Sequence, residues 1–118
     1  MSVVCPVERV RPERAVAAKA DDGAQVAIVR TADGALHAVG HYDPYAEANV
    51  IARGIVGTAT VAGEVRDVIQ SPMYKQAFDL ATGRCTSDPD VTLGVWDVAE
   101  EDGMIVLRNN RIAPSGVA

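Results

Sequence analysis

The sequence predicts an all-β domain of antiparallel strands, and three observations support this. Glycines and clusters of Asp and Asn recur at short intervals, with short apolar or alternating runs between them. Aromatic residues make up only 4% of the 118 residues, while Val and Ala dominate, which favours strands packed through small and β-branched side chains. Residues 44–53, "PYAEANVIAR", are the best helical candidate, and we expect at most one turn there.

The central part of the chain contains several predicted strands. "AQVAIVR" (residues 24–30) and "ALHAVG" (35–40) are predicted to pair around "TADG", where Asp33-Gly34 suits the left-handed backbone of a tight turn. "EVRDVIQ" (64–70) is predicted as a further strand. The preceding segment, "GIVGTATVAG" (54–63), has a β-branched composition, and its glycines predict a bend or a bulge.

Two more hairpins are predicted towards the C-terminus. "AFDLATGRCT" (77–86) is predicted as a small hairpin that turns at residues 81–83. "TLGVWDVAEEDGMIVL" (92–107) is predicted as a longer one, anchored by Trp96 and turning at "EEDG". The tail "RNNRIAPSGVA" (108–118) has no periodic pattern and is predicted to fray.

Charge and hydropathy exclude several classes of partner. The formal net charge is −5, which argues against binding to the phosphate backbone of nucleic acids. No apolar run has the length of a membrane span or the form of a signal peptide, so we expect no membrane association and a cytoplasmic location. In that reducing compartment, Cys5 and Cys85 are predicted to be free thiols, with Cys85 a packed side chain.

Two histidines raise the question of a metal site. His37 and His41 are four residues apart, and Asp43 follows closely. Four residues of a strand span about 13 Å, and a zinc site needs three or four convergent ligands. We therefore expect His37 on a sheet face and His41 in a loop, where it forms local hydrogen bonds.

Two segments, "ANVIARGIVG" and "SPMYKQAFDLATGRC", carry a resemblance to a known family. The second resembles part of Rieske-type ferredoxin domains, in which a Cys-Pro-x-His-Gly loop leads into a Phe-Asp-Leu-x-Thr-Gly hairpin. Residues 78–83 match that hairpin, and "HYDPYAEANV" stands where the first ligand loop would lie. Over roughly residues 4–108 the chain resembles the small subunits of assimilatory NAD(P)H-dependent nitrite reductases.

The resemblance implies a Rieske-like antiparallel β-sandwich over residues 1–108, followed by a C-terminal tail at 109–118. A small subdomain of two loops, residues 41–50 and 70–77, would replace the cluster-binding subdomain.

The resemblance also assigns the four ligand positions. Asp43 and Ser71 stand in the places of the two cysteines, and Tyr45 and Tyr74 in those of the two histidines. A Rieske cluster is held by two thiolates and two imidazoles, whereas oxygen donors suit harder ions. We therefore expect no cluster, no metal and no other cofactor in this chain.

The family implies a role without chemistry of its own. The chain would be the accessory small subunit of a cytoplasmic enzyme whose large subunit carries FAD, an iron–sulfur cluster and sirohaem and reduces nitrite to ammonium. No catalytic residue is predicted, and the candidates for contact with the large subunit are Tyr45, Tyr74, Lys75 and Gln76. The two tyrosine rings are expected to approach each other, either filling the space of a cluster or forming a docking surface.

Two other interpretations stay open at this stage. The chain could be a ferredoxin that binds another metal through the four loop residues or His41. It could also be a protein-binding module of another oxidoreductase that has kept the same fold.

Overall fold

The computed structural model describes residues 2–116, and their regular structure is almost entirely β-strand. The described residues form thirteen strands: β1 Ser2–Pro6, β2 Arg14–Lys19, β3 Gln25–Arg30, β4 Leu36–Gly40, β5 Tyr42–Asp43, β6 Ala48–Asn49, β7 Ile55–Val61, β8 Glu64–Gln70, β9 Ala77–Asp79, β10 Arg84–Cys85, β11 Asp88–Thr92, β12 Val95–Glu101 and β13 Met104–Ile112. Two 3-10 turns, Val7–Arg9 and Ile51–Arg53, are the helical segments of this part of the chain. No helix in residues 2–116 is long and apolar enough to cross a membrane.

Two antiparallel sheets form the body of the molecule. The larger has the strand order β1-β13-β12-β4-β3-β2, and the smaller has the order β11-β10-β9-β8-β7. The short hairpin of β5 and β6 stands apart as a third, two-stranded sheet. The predicted all-β, antiparallel fold class is therefore confirmed.

The strand β3 shows why the larger sheet is apolar on both faces. Residues 26–29 are all fully buried, because alternate side chains enter two different cores. Ala27 and Val29 pack in a cluster shared with the smaller sheet, including Ile69 and Phe78. Val26 and Ile28 pack on the other side with Trp96, the predicted anchor of the last hairpin.

The hairpin of β7 and β8 is more regular than its glycines predicted. The pairing runs without a break from Ile55 opposite Gln70 to Val61 opposite Glu64, so the predicted bend or bulge is wrong. Gly57 lies in ordinary strand, and the chain reverses instead at Ala62 and Gly63, whose φ angles are 51° and 82°. The glycine that marks a change of chain direction is therefore Gly63 in the turn, and not Gly57 in the strand.

Both ends of the described chain are paired with strands of the main sheets. β1 pairs with β13, which places the N-terminal segment beside the last strand. β13 continues past residue 108 to Ile112, and Ser115 forms a bridge with Thr92. The predicted fraying is therefore wrong for residues 108–115, because tertiary pairing supplies partners that no local pattern shows. Residues 117 and 118 lie outside the described chain.

Candidate functional site

The two loops that resemble ligand loops lie side by side in the structure. The first loop, residues 41–50, contains the β5–β6 hairpin, in which Asp43 pairs with Ala48. The second loop, residues 70–77, joins β8 to β9 and is closed by a hydrogen bond of 2.8 Å from the Ser71 N–H to the Gln76 carbonyl. A side-chain bond of 3.1 Å from Gln70 Nε2 to the Lys75 carbonyl supports the same turn.

A buried hydrogen bond joins the two loops at the two positions that the resemblance assigns to cysteines. The Ser71 hydroxyl donates to Oδ2 of Asp43, and both side chains are almost completely buried. The other carboxylate oxygen, Oδ1, accepts the backbone N–H of Tyr45 at 2.8 Å and that of Ala46 at 3.2 Å. Asp43 therefore organises the turn of its own loop with one oxygen and holds the second loop with the other.

Tyr45 occupies the inner side of the first loop. Its ring packs against Phe78 with the centroids 6.4 Å apart and the planes tilted by 44°. Its hydroxyl donates to Oδ2 of Asp88 at 3.4 Å. Burial raises the pKa of Tyr45 well above its usual 10, and a hydrogen bond with Cys85 adds to the effect. The side chain therefore stays a neutral phenol.

A small polar network lies behind the loops. The buried thiol of Cys85 is 3.7 Å from Oε1 of Gln76 and 3.4 Å from the hydroxyl of Ser87. That hydroxyl also donates to Gln76 Oε1 at 3.2 Å. Gln76, predicted as a partner-binding residue, thus has its side chain engaged within the protein. Cys5 and Cys85 are both free thiols, as predicted.

Tyr74 and Lys75 lie on the outer side of the second loop. Tyr74 is 63% exposed and its neighbour Met73 is 55% exposed. Lys75 is also exposed and has a φ of 60°, a left-handed conformation that turns the chain at the tip. Tyr45 points inwards while Tyr74 faces solvent, so the two rings do not share the interior space. The loop shape is set by tertiary contacts, which no sequence pattern revealed.

The two histidines have different positions and roles, since His41 begins the first loop and His37 lies on β4. His41 is buried, and its Nδ1 accepts the backbone N–H of Ala52 at 3.1 Å, which agrees with the predicted local hydrogen bond. Burial lowers the pKa of His41, and the charge of Arg53 lowers it further. His37 lies on β4 as predicted, and burial lowers its pKa as well. Residues 2–116 contain no group of three or more His, Cys, Asp or Glu side chains placed to hold a metal ion.

The donor set at the loops does not fit a Rieske cluster. The four positions supply one carboxylate, one hydroxyl and two phenols, and neither a thiolate nor an imidazole is among them. The carboxylate and hydroxyl are bonded to each other, and one phenol is bonded to Asp88. Asp43 and Ser71 therefore satisfy each other across the two loops, Tyr45 is satisfied by Asp88, and Tyr74 faces solvent.

Two residues of the site were missed by sequence reasoning. Asp88 comes to Tyr45 from 43 positions further along the chain, and no local pattern connects them. Met73 adds exposed apolar surface beside the predicted Tyr74 and Lys75. The signal for Met73 was available, since an apolar residue in the middle of the polar loop "SPMYKQ" is unusual for a solvated turn.

An antiparallel β-sandwich with two facing loops at one end defines a Rieske-like domain. The family described as "Rieske-like [2Fe-2S] domain" matches residues 2–108. The "Nitrite reductase (NADH) small subunit" of Salmonella typhimurium is 33% identical over 106 residues, which are 89% of this chain and 94% of that protein. The chain therefore belongs to the family of nitrite reductase small subunits.

Two further comparisons extend this result. The crystal structure of an NADH-dependent nitrite reductase small subunit from Mycobacterium tuberculosis matches with a TM-score of 0.82 and 41% identity, covering 95% of both chains. The NAD(P)H nitrite reductase large subunit of Klebsiella oxytoca is 28% identical over 109 residues. Those residues are 92% of this chain and 11% of that much longer protein.

Proposed function

We propose that this chain is the cofactor-free accessory subunit of a cytoplasmic NAD(P)H nitrite reductase that serves nitrate assimilation. Its partner is a large subunit that carries FAD, an iron–sulfur cluster and sirohaem and reduces nitrite to ammonium. The names of its relatives support this partner. The Klebsiella oxytoca large subunit supports it further, because it contains a segment similar to this chain within one polypeptide.

The observation that carries the proposal is the hydrogen bond between Asp43 and Ser71. It joins the two loops at the positions where the family's cysteines would bind iron. A buried, charge-assisted bond of this kind holds both loops in one arrangement without a metal. The loops thus keep the shape of a Rieske domain and lack its donors, which supports recognition and not electron transfer as their role.

The exposed tip of the second loop is the proposed contact with the large subunit. Met73, Tyr74 and Lys75 combine apolar surface, an aromatic ring and a positive charge at one turn. Tyr is enriched at interface hot spots, and Met adapts to irregular partner surfaces. Tyr45 and Gln76, the other two predicted candidates, would act from inside by fixing the position of this tip.

Binding to the purified large subunit tests this function. We expect the native chain to form a complex, and Tyr74→Ala with Lys75→Ala to weaken it about tenfold or more, as for the removal of hot-spot contacts. Lys19→Ala, which removes an exposed lysine from β2, serves as the matched control and should bind like the native chain. A complex that survives both substitutions at the tip unchanged would reject the tip as the contact.

Failure of the native chain to bind at all would reject the partner itself. The chain would then be a binding module of another oxidoreductase, since the same fold and the same two loops can serve a different partner.

A further inference from the structure

The outer edge of β7 differs from the other outer edges of the two main sheets in residues 2–116. Sheet edges are normally protected against pairing by charges, proline or bulges. β1 has a break in register and ends at Pro6, and β2 begins at Arg14 and ends at Lys19. β11 contains Pro89 between two aspartates. β7, by contrast, reads "IVGTATV", with no charge and no proline over seven residues, and its pairing with β8 is unbroken.

The sequence of β7 is complementary to itself when two copies run antiparallel about Thr58. In that register Thr58 faces Thr58, Gly57 faces Ala59, and Val56 faces Thr60 of the other copy. Ile55, which is 69% exposed, would face Val61. Each cross-strand pair therefore joins residues of similar size, and apolar and Thr–Thr pairs of this kind stabilise antiparallel strands.

The charges nearest the strand lie at its two ends. Arg53 ends the 3-10 turn two residues before β7, and Glu64 begins β8, where it pairs with Val61 after the chain has reversed at Ala62 and Gly63. Glu64 therefore lies on the side of β7 away from a second copy, and the seven positions that would pair, residues 55–61, carry no charge.

We propose that β7 is a homodimer interface, in which the β7 strands of two copies of this chain pair antiparallel about Thr58. The two five-stranded sheets would join into one continuous sheet with a two-fold axis through Thr58. The second loop begins at Gln70, opposite Ile55 at one end of β7. The two-fold axis therefore places the two loop tips at opposite ends of the dimer, where each can bind a large subunit.

Cysteine cross-linking of the chain alone tests the register. In a Cys5→Ser background, with Cys85 buried, Thr58→Cys is expected to form a covalent dimer under mild oxidation. Thr60→Cys is the matched control, because both threonines are exposed on the same strand. In the proposed register the two residues 60 are four positions apart, about 13 Å, beyond the roughly 7 Å limit between the Cα atoms of a disulfide.

The expected result is a native chain that sediments as a dimer and at least about tenfold more cross-linked product from Thr58→Cys than from Thr60→Cys. A native chain that sediments as a monomer, or equal cross-linking at the two positions, would overturn the proposal. A third measurement uses a benzophenone maleimide attached to the new thiol of Thr58→Cys in the assembled enzyme. If this probe cross-links to the large subunit and not to a second copy of the chain, the β7 edge contacts the large subunit instead. The first two measurements use no large subunit, so their failure is distinguishable from a failure of the proposed function.

Discussion

At the scale of single residues, the loops are organised by one carboxylate. Asp43 is fully buried and accepts two backbone N–H groups and the Ser71 hydroxyl. A buried carboxylate is stable only when its oxygens are hydrogen-bonded, because desolvation penalises the bare charge. Ser71 therefore stabilises the loops mainly by donating a hydrogen bond to Oδ2 of Asp43.

Ser71→Ala is expected to lower the free energy of unfolding by about 1–3 kcal/mol, the cost of an unsatisfied buried acceptor. The same hydroxyl accepts the Met73 N–H at 3.3 Å, so the second loop should loosen as well. Urea denaturation measures the change. Ser87→Ala is the control, since Ser87 is exposed and its loss should cost about 0.5 kcal/mol or less. Equal effects of the two substitutions would contradict the role given to Asp43.

His41 predicts a dependence of stability on pH. Burial, and then Arg53, lower its pKa from 6.5, so the unfolded chain binds a proton more readily than the folded one. The free energy of unfolding is therefore expected to fall as the pH drops below about 6.5, by at most about 1.4 kcal/mol per pH unit for this residue. His37 contributes with the same sign, and Asp33 and Asp79, with pKa values below 3.8, act only in stronger acid.

Urea denaturation at pH 7.5 and 5.5 checks this prediction. His41→Asn keeps an acceptor near Nδ1 for the Ala52 N–H and removes the titrating group. The difference in unfolding free energy between the two pH values should be smaller in this variant than in the native chain. His37→Gln removes the contribution of His37 to the pH dependence of the unfolding free energy and leaves the contribution of His41. If the difference in unfolding free energy between the two pH values is unchanged in His41→Asn, His41 takes up its proton equally readily in the folded and the unfolded chain, and the prediction is wrong.

At the scale of elements, the hairpin of β7 and β8 joins the candidate site to the proposed dimer edge. Its far end is a two-residue turn with both central φ angles positive, which matches the right-handed twist of the strands. Its near end brings Gln70 opposite Ile55 and leads into the second loop. The direction of the loop tip is therefore set by a hairpin whose register the turn determines.

Two glycines in this hairpin are expected to respond oppositely to alanine. Gly63 has a φ of 82°, where an L-residue with a Cβ is strained, so Gly63→Ala should destabilise by about 1 kcal/mol. Gly57 lies in strand, and a Cβ there would meet no atom within 4 Å. Gly57→Ala should therefore be neutral or stabilising by up to about 1 kcal/mol. Thermal or urea unfolding compares them, and a larger loss at Gly57 would show that the strand is crowded.

The last strand predicts where the domain ends. Truncation after residue 108 removes the pairing of Ile112 with Val95 and the side chain of Asn110, which donates to the Val95 carbonyl at 3.1 Å. We expect the free energy of unfolding to fall by at least about 2 kcal/mol, because the half-buried side chain of Ile112 and these hydrogen bonds are lost. Truncation after residue 116 is the control and should leave the urea midpoint unchanged. A stable chain of 108 residues would restore the boundary predicted from the sequence.

At the scale of the whole molecule, the larger sheet carries two cores and the smaller sheet carries the loops. The first core lies between the sheets, and the second lies on the far side of the larger sheet, where side chains of β1 and β2 also pack. One groove is lined by residues of both strands, so the larger sheet curves until its two edges approach each other. Of the four ligand positions, Tyr45 contributes to this body, because its ring packs against Phe78 in the first core.

Because packing and hydrogen bonds hold the molecule together, the purified chain is expected to be colourless and to contain no stoichiometric iron. Expression with added iron, followed by an absorption spectrum and metal analysis, measures this. Unfolding with and without a chelator is the control, and the transition midpoint should not change, in contrast to domains whose folding depends on metal. Thiolate-to-iron bands or two irons per chain would contradict the prediction and require ligands other than the four loop residues.

The sequence by itself determined the local features of this protein. The turns at Asp33-Gly34 and Asp102-Gly103 and the apolar runs beside them predict two of the hairpins, because both signals depend on neighbouring residues. The motif "SPMYKQAFDLATGRC" indicated the family, and its relatives confirmed it. The resemblance carried by that motif also assigns Asp43, Tyr45, Ser71 and Tyr74 to the ligand positions, and none of these residues is a cysteine or a histidine.

Only the tertiary structure decided which distant groups meet. The contact of Asp43 with Ser71 joins residues 28 positions apart, and that of Tyr45 with Asp88 joins residues 43 apart. β1 is a strand because β13 pairs with it, although its own sequence showed no strand pattern. Likewise, Tyr45 turns inwards and Tyr74 outwards because only one of them has Phe78 to pack against. Such choices depend on the free energy of long-range packing and pairing, which no short stretch of sequence contains.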